Sequence, residues 1–278
     1  MKRRFHQLDV FSAVPLLGNP LAVVHAATGL ADATMAAFAR WTNLSETTFL
    51  LPPSEPTADY HVRIWTPGGE LPFAGHPTLG SCHAWLAAGG VPCEPGVVVQ
   101  QCAVGLVRIR QSGHRLAFAA PPLRRTGPLD ADLLARIVAG IGVSPSDVLH
   151  HQWVDNGPGW CAVMLRSAAQ VLGVRANGSL LQGIKLGLVG AHAAGGECAF
   201  EVRALYHDAD ALVEDPVTGS LNASLAQWLI GAGLAPASYV ASQGTVLQRS
   251  GRVYIERDGD NIWVGGDVAV CIEGEVEL

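Results

Sequence analysis

The segment Arg63–Ser81, RIWTPGGELPFAGHPTLGS, is echoed by a shorter segment, Arg203–Ser220, RALYHDADALVEDPVTGS. Each contains an Arg-led apolar run, a turn, and then Pro and Gly-Ser before a helical stretch. HPTLGS (76–81) and DPVTGS (215–220) begin 139 residues apart, which is half of the 278-residue chain. The echo predicts two similar halves and matches His76 with Asp215.

Each copy of the echo leads into a predicted helix, at about 77–89 and at about 217–231. The first turn of a helix has unpaired N–H groups and a partial positive charge, so it attracts anions. Two such helix starts that face each other across a cleft can hold a carboxylate. The alternative is that Gly-Ser only caps two surface helices, since Ser is a common N-cap residue.

The length is sufficient for two domains with cores of their own. A segment rich in proline and charge at 119–128 divides an N-terminal domain, 1–120, from a C-terminal domain, 129–278, whose last strand can return to the first domain. Short links between strands and few helices in each half favour an α+β fold over a parallel βαβ sheet. The second half is predicted to repeat the element order of the first, with an insertion at about 166–196.

Charge and hydropathy exclude several classes of partner. The net charge is −6 and the longest basic run is Lys2–Arg4, so we expect no nucleic acid. No apolar run approaches the roughly 20 residues that cross a bilayer, and Gln7 and Asp9 interrupt the apolar region that a signal peptide needs. We therefore expect a cytoplasmic protein without a membrane partner that binds a small molecule. The six scattered cysteines predict buried thiols and no disulfides.

Three side chains are candidates for chemistry. Glu46 enters an apolar strand after Asn43-Leu44-Ser45, and an isolated carboxyl in that position is suited to proton transfer. His76 and Asp215 can orient a substrate or relay a proton if they meet across a cleft. The competing interpretations are a solvated Glu at a strand edge, a histidine in a turn, and an Asp N-cap before Pro.

Other catalytic motifs are missing from the sequence. There is no H-x-E or H-x-x-x-H spacing for zinc and no G-x-S-x-G for a serine nucleophile. There is also no G-x-G-x-x-G or G-x-x-x-x-G-K for a nucleotide. We therefore expect no metal and no cofactor.

Together the motifs resemble the PhzF family of phenazine-biosynthesis-like isomerases, which is built on the diaminopimelate epimerase fold. The most specific are ELPFAGHPTLG (70–80) and EDPVTGS (214–220). Others follow in the same order along nearly the whole chain: Asp9-Val10-Phe11, GNPLAVV (18–24), NLSETTF (43–49) and NGP (156–158).

The resemblance implies two similar α+β domains, each a β-barrel-like sheet around a central helix, with the active site in the cleft between them, and a homodimer. It gives Glu46 the role of the carboxylate that takes a proton from one carbon and returns it to another. His76 and Asp215 match flanking polar residues that hold the substrate, and in the phenazine enzyme this substrate is a small cyclic amino-hydroxy acid. The substrate-contacting groups of the family are matched by Gly75, Gly219 and Ser220.

We therefore expect a cofactor-free isomerase that moves a proton within a small cyclic or unsaturated amino or hydroxy carboxylic acid, similar to trans-2,3-dihydro-3-hydroxyanthranilate isomerase. Epimerases on this fold use one cysteine from each half, but neither Gly75-His76 nor Asp215 supplies one. Trp65 and NGPGW (156–160) depart from the phenazine enzyme's pattern and leave the substrate open. The alternatives are a dehydratase or epimerase of a small hydroxy or amino acid, and a non-catalytic protein that binds a small acid.

Overall fold

The computed structural model describes residues 1–278, and the chain forms two compact units. The first unit contains Met1–Ala119 and Gly265–Leu278, and the second contains Ala120–Val264. The last strand of the chain is therefore part of the first unit.

The first unit is a mixed sheet with one helix at its centre. The strand order is β17–β1–β2–β3–β4–β6–β7–β8, and β5 forms a hairpin with β4. The elements are β1 (Lys2–Val10), β2 (Asn19–Val24), α1 (Asp32–Thr42), β3 (Glu46–Leu51), β4 (Tyr60–Thr66), β5 (Gly69–Leu71), α2 (Gly75–Ala87), β6 (Val97–Cys102), β7 (Gly105–Ser112), β8 (Arg115–Ala119) and β17 (Val268–Glu277).

The second unit has the strand order β9–β10–β11–β12–β14–β15, and β13 forms a hairpin with β12. Short 3₁₀ turns lie at Pro145–Asp147 and Thr245–Leu247. The elements are α3 (Ala131–Ile141), β9 (Val148–Trp153), β10 (Trp160–Leu165), α4 (Ala168–Gly173), α5 (Gly178–Leu181), β11 (Lys185–Ala191), β12 (Phe200–Asp208), β13 (Ala211–Asp215), α6 (Gly219–Gly231), β14 (Ser238–Gln243), β15 (Gly251–Asp258) and β16 (Asn261–Gly266), of which the last two residues are counted with the first unit.

The strand directions repeat between the units, which confirms the predicted two similar halves. β2 is parallel to β3 and β4 is parallel to β6, as β10 is to β11 and β12 is to β14. The other strand pairs in the two orders given above, and the two hairpins, are antiparallel. Each unit is therefore built on one strand plan, with a helix after the β4–β5 hairpin and after the β12–β13 hairpin.

The predicted insertion at about 166–196 was wrong. This segment contains α4, α5 and β11, which occupy the places that α1 and β3 occupy in the first unit. The sequence obscured this match because α4 and α5 have only six and four residues. The predicted repeat of the element order also fails at the start of the second unit, since α3 precedes β9 and has no counterpart before β1.

Helices α2 and α6 are the central elements of their units. Each has 13 residues and begins with a glycine, and most residues of each are buried. Burial on all sides explains why neither helix has a polar stripe. At Gly80 the backbone of α2 packs closely against the side chain of Leu21 in β2, because a Cβ on Gly80 would lie 2.5 Å from Cδ2 of Leu21. The central helices predicted from the family resemblance are therefore confirmed.

All six cysteines are unpaired thiols, but only Cys82, Cys102 and Cys161 are buried as the sequence predicts, and Cys93 is exposed. None of the helices combines the length and the apolar character that crossing a membrane requires.

Candidate active site

An arginine–glutamate pair closes the hairpin before each central helix. In the first unit Arg63 donates from Nε and Nη2 to the two oxygens of Glu70, both at 2.7 Å. In the second unit Arg203 donates in the same way to Glu214, at 3.1 and 2.8 Å. Bidentate pairs of this kind fix geometry as well as charge. The echoed Arg of each segment therefore holds the strand that leads into the helix.

These pairs show which residues of the two units occupy equivalent positions, and this equivalence differs from the one predicted from the sequence. Glu70 is seven positions after Arg63, but Glu214 is eleven positions after Arg203, so the second hairpin is four residues longer. Beyond the hairpins Gly75 and Gly219 are both the first residues of 13-residue helices. His76 is therefore matched by Ser220, and the predicted match of His76 with Asp215 was wrong.

Glu46 is the first residue of β3 and lies opposite Leu21 of β2. Its side chain is only 14% exposed, so the alternative of a solvated strand-edge residue is wrong. Oε2 of Glu46 lies 3.2 Å from Nε2 of His76. The fold of the first unit thus brings together two of the three residues that the sequence singled out for chemistry.

His76 lies in the first turn of α2 and is 5% exposed. Burial lowers the pKa of His76 to about 3, and a hydrogen bond to the backbone of Pro20 opposes this shift. The imidazole is therefore neutral at physiological pH and carries a single N–H. Because the backbone of proline has a carbonyl but no N–H, the ring must donate to Pro20.

The protonated nitrogen of the neutral ring is an assignment from its surroundings. Nε2 has no aligned hydrogen-bond partner in the protein, so we assign the N–H that reaches Pro20 to Nδ1. Nδ1 also lies 3.4 Å from Nδ2 of Asn19. Because an amide N–H only donates, a proton on Nδ1 requires the Asn19 amide to be turned so that its oxygen faces the ring. The lone pair of Nε2 therefore faces Glu46 at a distance suited to proton transfer. This arrangement lets His76 accept a hydrogen bond from a protonated Glu46.

The loop before β2 places Asn19 and Pro20 beside His76. A Cβ on Gly18 would lie 2.5 Å from the carbonyl oxygen of Val10, so only glycine fits at this close approach. Asn19 is fully buried. The GNP motif therefore has a local physical reason, which is to bring backbone and amide groups to the imidazole.

In the second unit Asp215 ends β13, and the next helix begins after its N-cap residue Thr218. The side chain of Thr218 donates to Oδ2 of Asp215 at 2.5 Å and makes no cap to the helix. Asp215 is therefore not the N-cap residue that the competing interpretation expected. The N-cap of α2, Ala74, has no side chain that can cap. Both central helices thus begin without a side-chain cap.

Ser220 is held by two residues that the sequence did not single out as functional. Nε1 of Trp160 donates to the Ser220 hydroxyl at 3.0 Å, and Nδ2 of Asn156 donates to the Ser220 carbonyl at 2.9 Å. An indole N–H can only donate. The Ser220 oxygen therefore accepts from Trp160, and its own proton is left to be donated to an acceptor such as a carboxylate. Asn156 lies in NGP (156–158), which matches the family pattern, and Trp160 lies in NGPGW (156–160), which departs from it; these were the available signals.

The structure contains no group of three or more His, Cys, Asp and Glu side chains arranged to hold a metal ion. A smaller cluster of His192, Glu201 and Ser242 lies in the second unit, where Nε2 of His192 is 2.9 Å from the Ser242 hydroxyl and 3.3 Å from Oε2 of Glu201. Both contacts use the same imidazole nitrogen, so the group lacks the geometry of a serine–histidine–carboxylate triad.

Comparison with known proteins gives a family. The model of the phenazine biosynthesis-like proteins, PhzC-PhzF, matches residues 8–275. The chain is 33% identical over 98% of its length to antisense-enhancing sequence 1 of Schizosaccharomyces pombe, of which it covers 97%. It is 30% identical to trans-2,3-dihydro-3-hydroxyanthranilate isomerase of Pseudomonas aeruginosa, with 99% of each chain covered.

Solved structures agree. A PhzF-family protein of Bacillus anthracis superimposes with a TM-score of 0.85 over all of both chains at 20% identity, which shows the shared fold. The family match extends over nearly the whole chain, and the relatives include proteins named isomerases. The chain therefore belongs to the phenazine biosynthesis-like family, PhzC-PhzF, and is an isomerase.

Proposed function

We propose that this isomerase moves a proton from one carbon to another within a small cyclic or unsaturated amino or hydroxy carboxylic acid, without a cofactor, and that Glu46 is the group that carries the proton. The observation that supports this most is the buried contact between Glu46 and the neutral ring of His76. A carboxyl group that is shielded from water and next to a proton acceptor is suited to take and return one proton.

Each candidate residue has a role in the proposal. His76 accepts a hydrogen bond from Glu46 when Glu46 holds the proton. Asp215, Gly219 and Ser220 contribute to binding the same substrate, and Gly75 offers its backbone at the start of α2. The hydroxyl of Ser220, directed by Trp160, is suited to donate to the substrate carboxylate. The N-termini of α2 and α6 have no side-chain cap, which favours binding of the substrate carboxylate there.

The protonation of His76 supports isomerisation over loss of water. A dehydratase needs an acid that protonates the leaving hydroxyl, and His76 is the nearest candidate to Glu46. A neutral imidazole with its proton on Nδ1 has no proton at Nε2 to give. The two reactions still share the base, so the products must be examined.

Incubation of the chain with unsaturated hydroxy and amino acids in deuterated water tests the proposal. We expect a product of unchanged composition that has gained one carbon-bound deuterium. In Glu46→Gln we expect the rate of incorporation to fall by roughly 10²–10⁴, the usual contribution of general acid–base catalysis. The exposed Glu55 provides the matched control, and Glu55→Gln should leave the rate unchanged.

Other results would contradict the proposal in different ways. A product that has lost water identifies a dehydratase. Tight binding of an acid without any deuterium incorporation identifies a binding protein. Equal rates in the wild type and in Glu46→Gln remove Glu46 from the reaction.

A further inference from the structure

The side chain of Gln243, at the end of β14, is fully buried beneath the start of α6. Its Oε1 accepts from the backbone N–H of Thr218 at 3.0 Å and from Nδ2 of Asn222 at 2.8 Å. Its Nε2 donates to the carbonyl of Asp215 at 3.0 Å and to the hydroxyl of Thr218 at 2.9 Å. The amide thus uses both of its ends on the segment that carries Asp215.

The direction of these hydrogen bonds is fixed by chemistry. A backbone N–H can only donate and a backbone carbonyl can only accept, so Oε1 of Gln243 must face Thr218 N–H and Nε2 must face the carbonyl of Asp215. The hydroxyl of Thr218 accepts from Nε2, so its own proton must point elsewhere. That proton points to Oδ2 of Asp215, 2.5 Å away.

Glycine allows this close approach. Gly244 has a φ of +89°, and a Cβ there would lie 2.6 Å from the carbonyl oxygen of Pro216. A Cβ on Gly251 would lie 2.4 Å from Cγ2 of Val217. The turn after Gln243 and the neighbouring strand β15 can therefore approach the Asp215–Thr218 segment closely only because both positions lack a side chain.

We propose that Gln243 is a positioning residue that acts on Asp215 through Thr218. By occupying the acceptor site of the Thr218 hydroxyl, it directs the hydroxyl proton to Asp215 and sets the carboxyl as a hydrogen-bond acceptor. A hydrogen-bond acceptor does not match a substrate carboxylate but does match a substrate hydroxyl or ammonium group. The inference rests on the proposed function and deepens it by saying what holds Asp215 toward the O–H or N–H donor of an amino or hydroxy acid.

Two variants of Thr218 test this with little change in shape. Thr218→Val removes the hydroxyl and keeps the branched volume, whereas Thr218→Ser keeps the hydroxyl. For a hydroxy or amino acid substrate we expect Thr218→Val to lower kcat/KM by roughly tenfold, as loss of a hydrogen bond to a charged group does. Thr218→Ser should stay within about threefold of the wild type. Equal losses in the two variants would overturn the inference.

Gln243→Met tests whether Gln243 acts on Thr218, and the first unit provides a control for this variant. Gln100 is also fully buried and donates to the hydroxyl of Thr78 at 3.1 Å, but Thr78 donates to the carbonyl of Ala74. Gln100→Met therefore removes a similar buried amide that directs no carboxyl. We expect the ¹³C carboxyl resonance of Asp215, assigned with Asp215→Asn, to move in Gln243→Met and Thr218→Val and to stay in place in Gln100→Met and Thr218→Ser.

The resonance separates this inference from the proposed function. If the wild type converts none of the acids, the proposed function fails, while the resonance still decides whether Gln243 acts on Asp215. A resonance that does not move in Thr218→Val, or that moves equally in Gln100→Met, overturns the inference even if the enzyme is active. Should Gln243→Met fail to fold, the two Thr218 variants decide alone.

Discussion

Residue environments decide which of the candidate groups can transfer a proton. In the first unit the side chain of Glu46 is mostly buried and faces the neutral ring of His76. In the second unit the position that matches Glu46 holds Lys185, which is opposite Trp160 as Glu46 is opposite Leu21. Lys185 is exposed. The repeat of the fold therefore does not repeat the carboxylate.

At the same scale, Trp160 offers a prediction about binding. Trp160→Phe keeps an aromatic ring in place but removes the N–H that Ser220 accepts. The Ser220 hydroxyl can then rotate away from the substrate carboxylate. We expect KM to rise by roughly two- to tenfold, the value of one hydrogen bond, with a smaller change in kcat. Steady-state kinetics measure both.

A double variant checks the cause of that effect. If Trp160 acts through Ser220, Trp160→Phe should not raise KM further in a Ser220→Ala background. Additive increases in KM would show that the indole acts on the substrate by another route.

Among the elements, the two hairpins carry the same bidentate pair in different surroundings. The side chains of Arg203 and Glu214 are 6% and 9% exposed, whereas those of Arg63 and Glu70 are 22% and 34% exposed. Arg63 also keeps a second partner, Asp32, at 2.6 Å. The same substitution should therefore have unequal effects in the two units.

Glu214→Gln leaves a buried guanidinium without its carboxylate, and we expect the free energy of unfolding to fall by about 3 kcal/mol. Glu70→Gln, in the more exposed pair, should cost about 1 kcal/mol or less. Urea denaturation of both variants measures the difference. Equal losses would show that burial does not distinguish the two hairpins.

The elements also show what the sequence could predict. The Arg-led strand, the turn and the helix of each half were all recognisable, because apolar runs and Pro-Gly signals are local. The register between the halves was not, because HPTLGS (76–81) and DPVTGS (215–220) are similar in letters while the second hairpin is four residues longer. The contact of Trp160 with Ser220 joins positions 60 residues apart and leaves no local pattern.

For the whole molecule, buried histidines make stability depend on pH. Nδ1 of His6 lies 2.8 Å from Nε2 of His25, and burial, with His6 as a lesser cause, lowers the pKa of His25 to about 4. The unfolded chain binds a proton at His25 below about pH 6.5, and the folded chain does not until about pH 4. Stability is therefore present above this window and is lost as the pH falls through it.

His25→Gln tests this account of acid sensitivity. We expect the slope of the free energy of unfolding between about pH 6.5 and 4 to decrease by about 1.4 kcal/mol per pH unit, since one proton fewer is taken up on unfolding. His6 and His76, whose pKa values are also lowered by burial, keep their share of the slope. An unchanged slope in urea titrations would contradict a neutral buried His25.

The homodimer expected from the family resemblance stays a prediction, and sedimentation of the wild-type protein tests it.

The claim on which the proposed chemistry depends is that a neutral imidazole presents a lone pair to Glu46. ¹⁵N chemical shifts of the His76 ring, assigned with His76→Asn, measure this without any substrate. We predict a ring that is protonated at Nδ1 and unprotonated at Nε2 throughout about pH 5 to 8, the range in which an ordinary histidine titrates. A ring that titrates near pH 6.5, or that carries its proton at Nε2, would contradict the account.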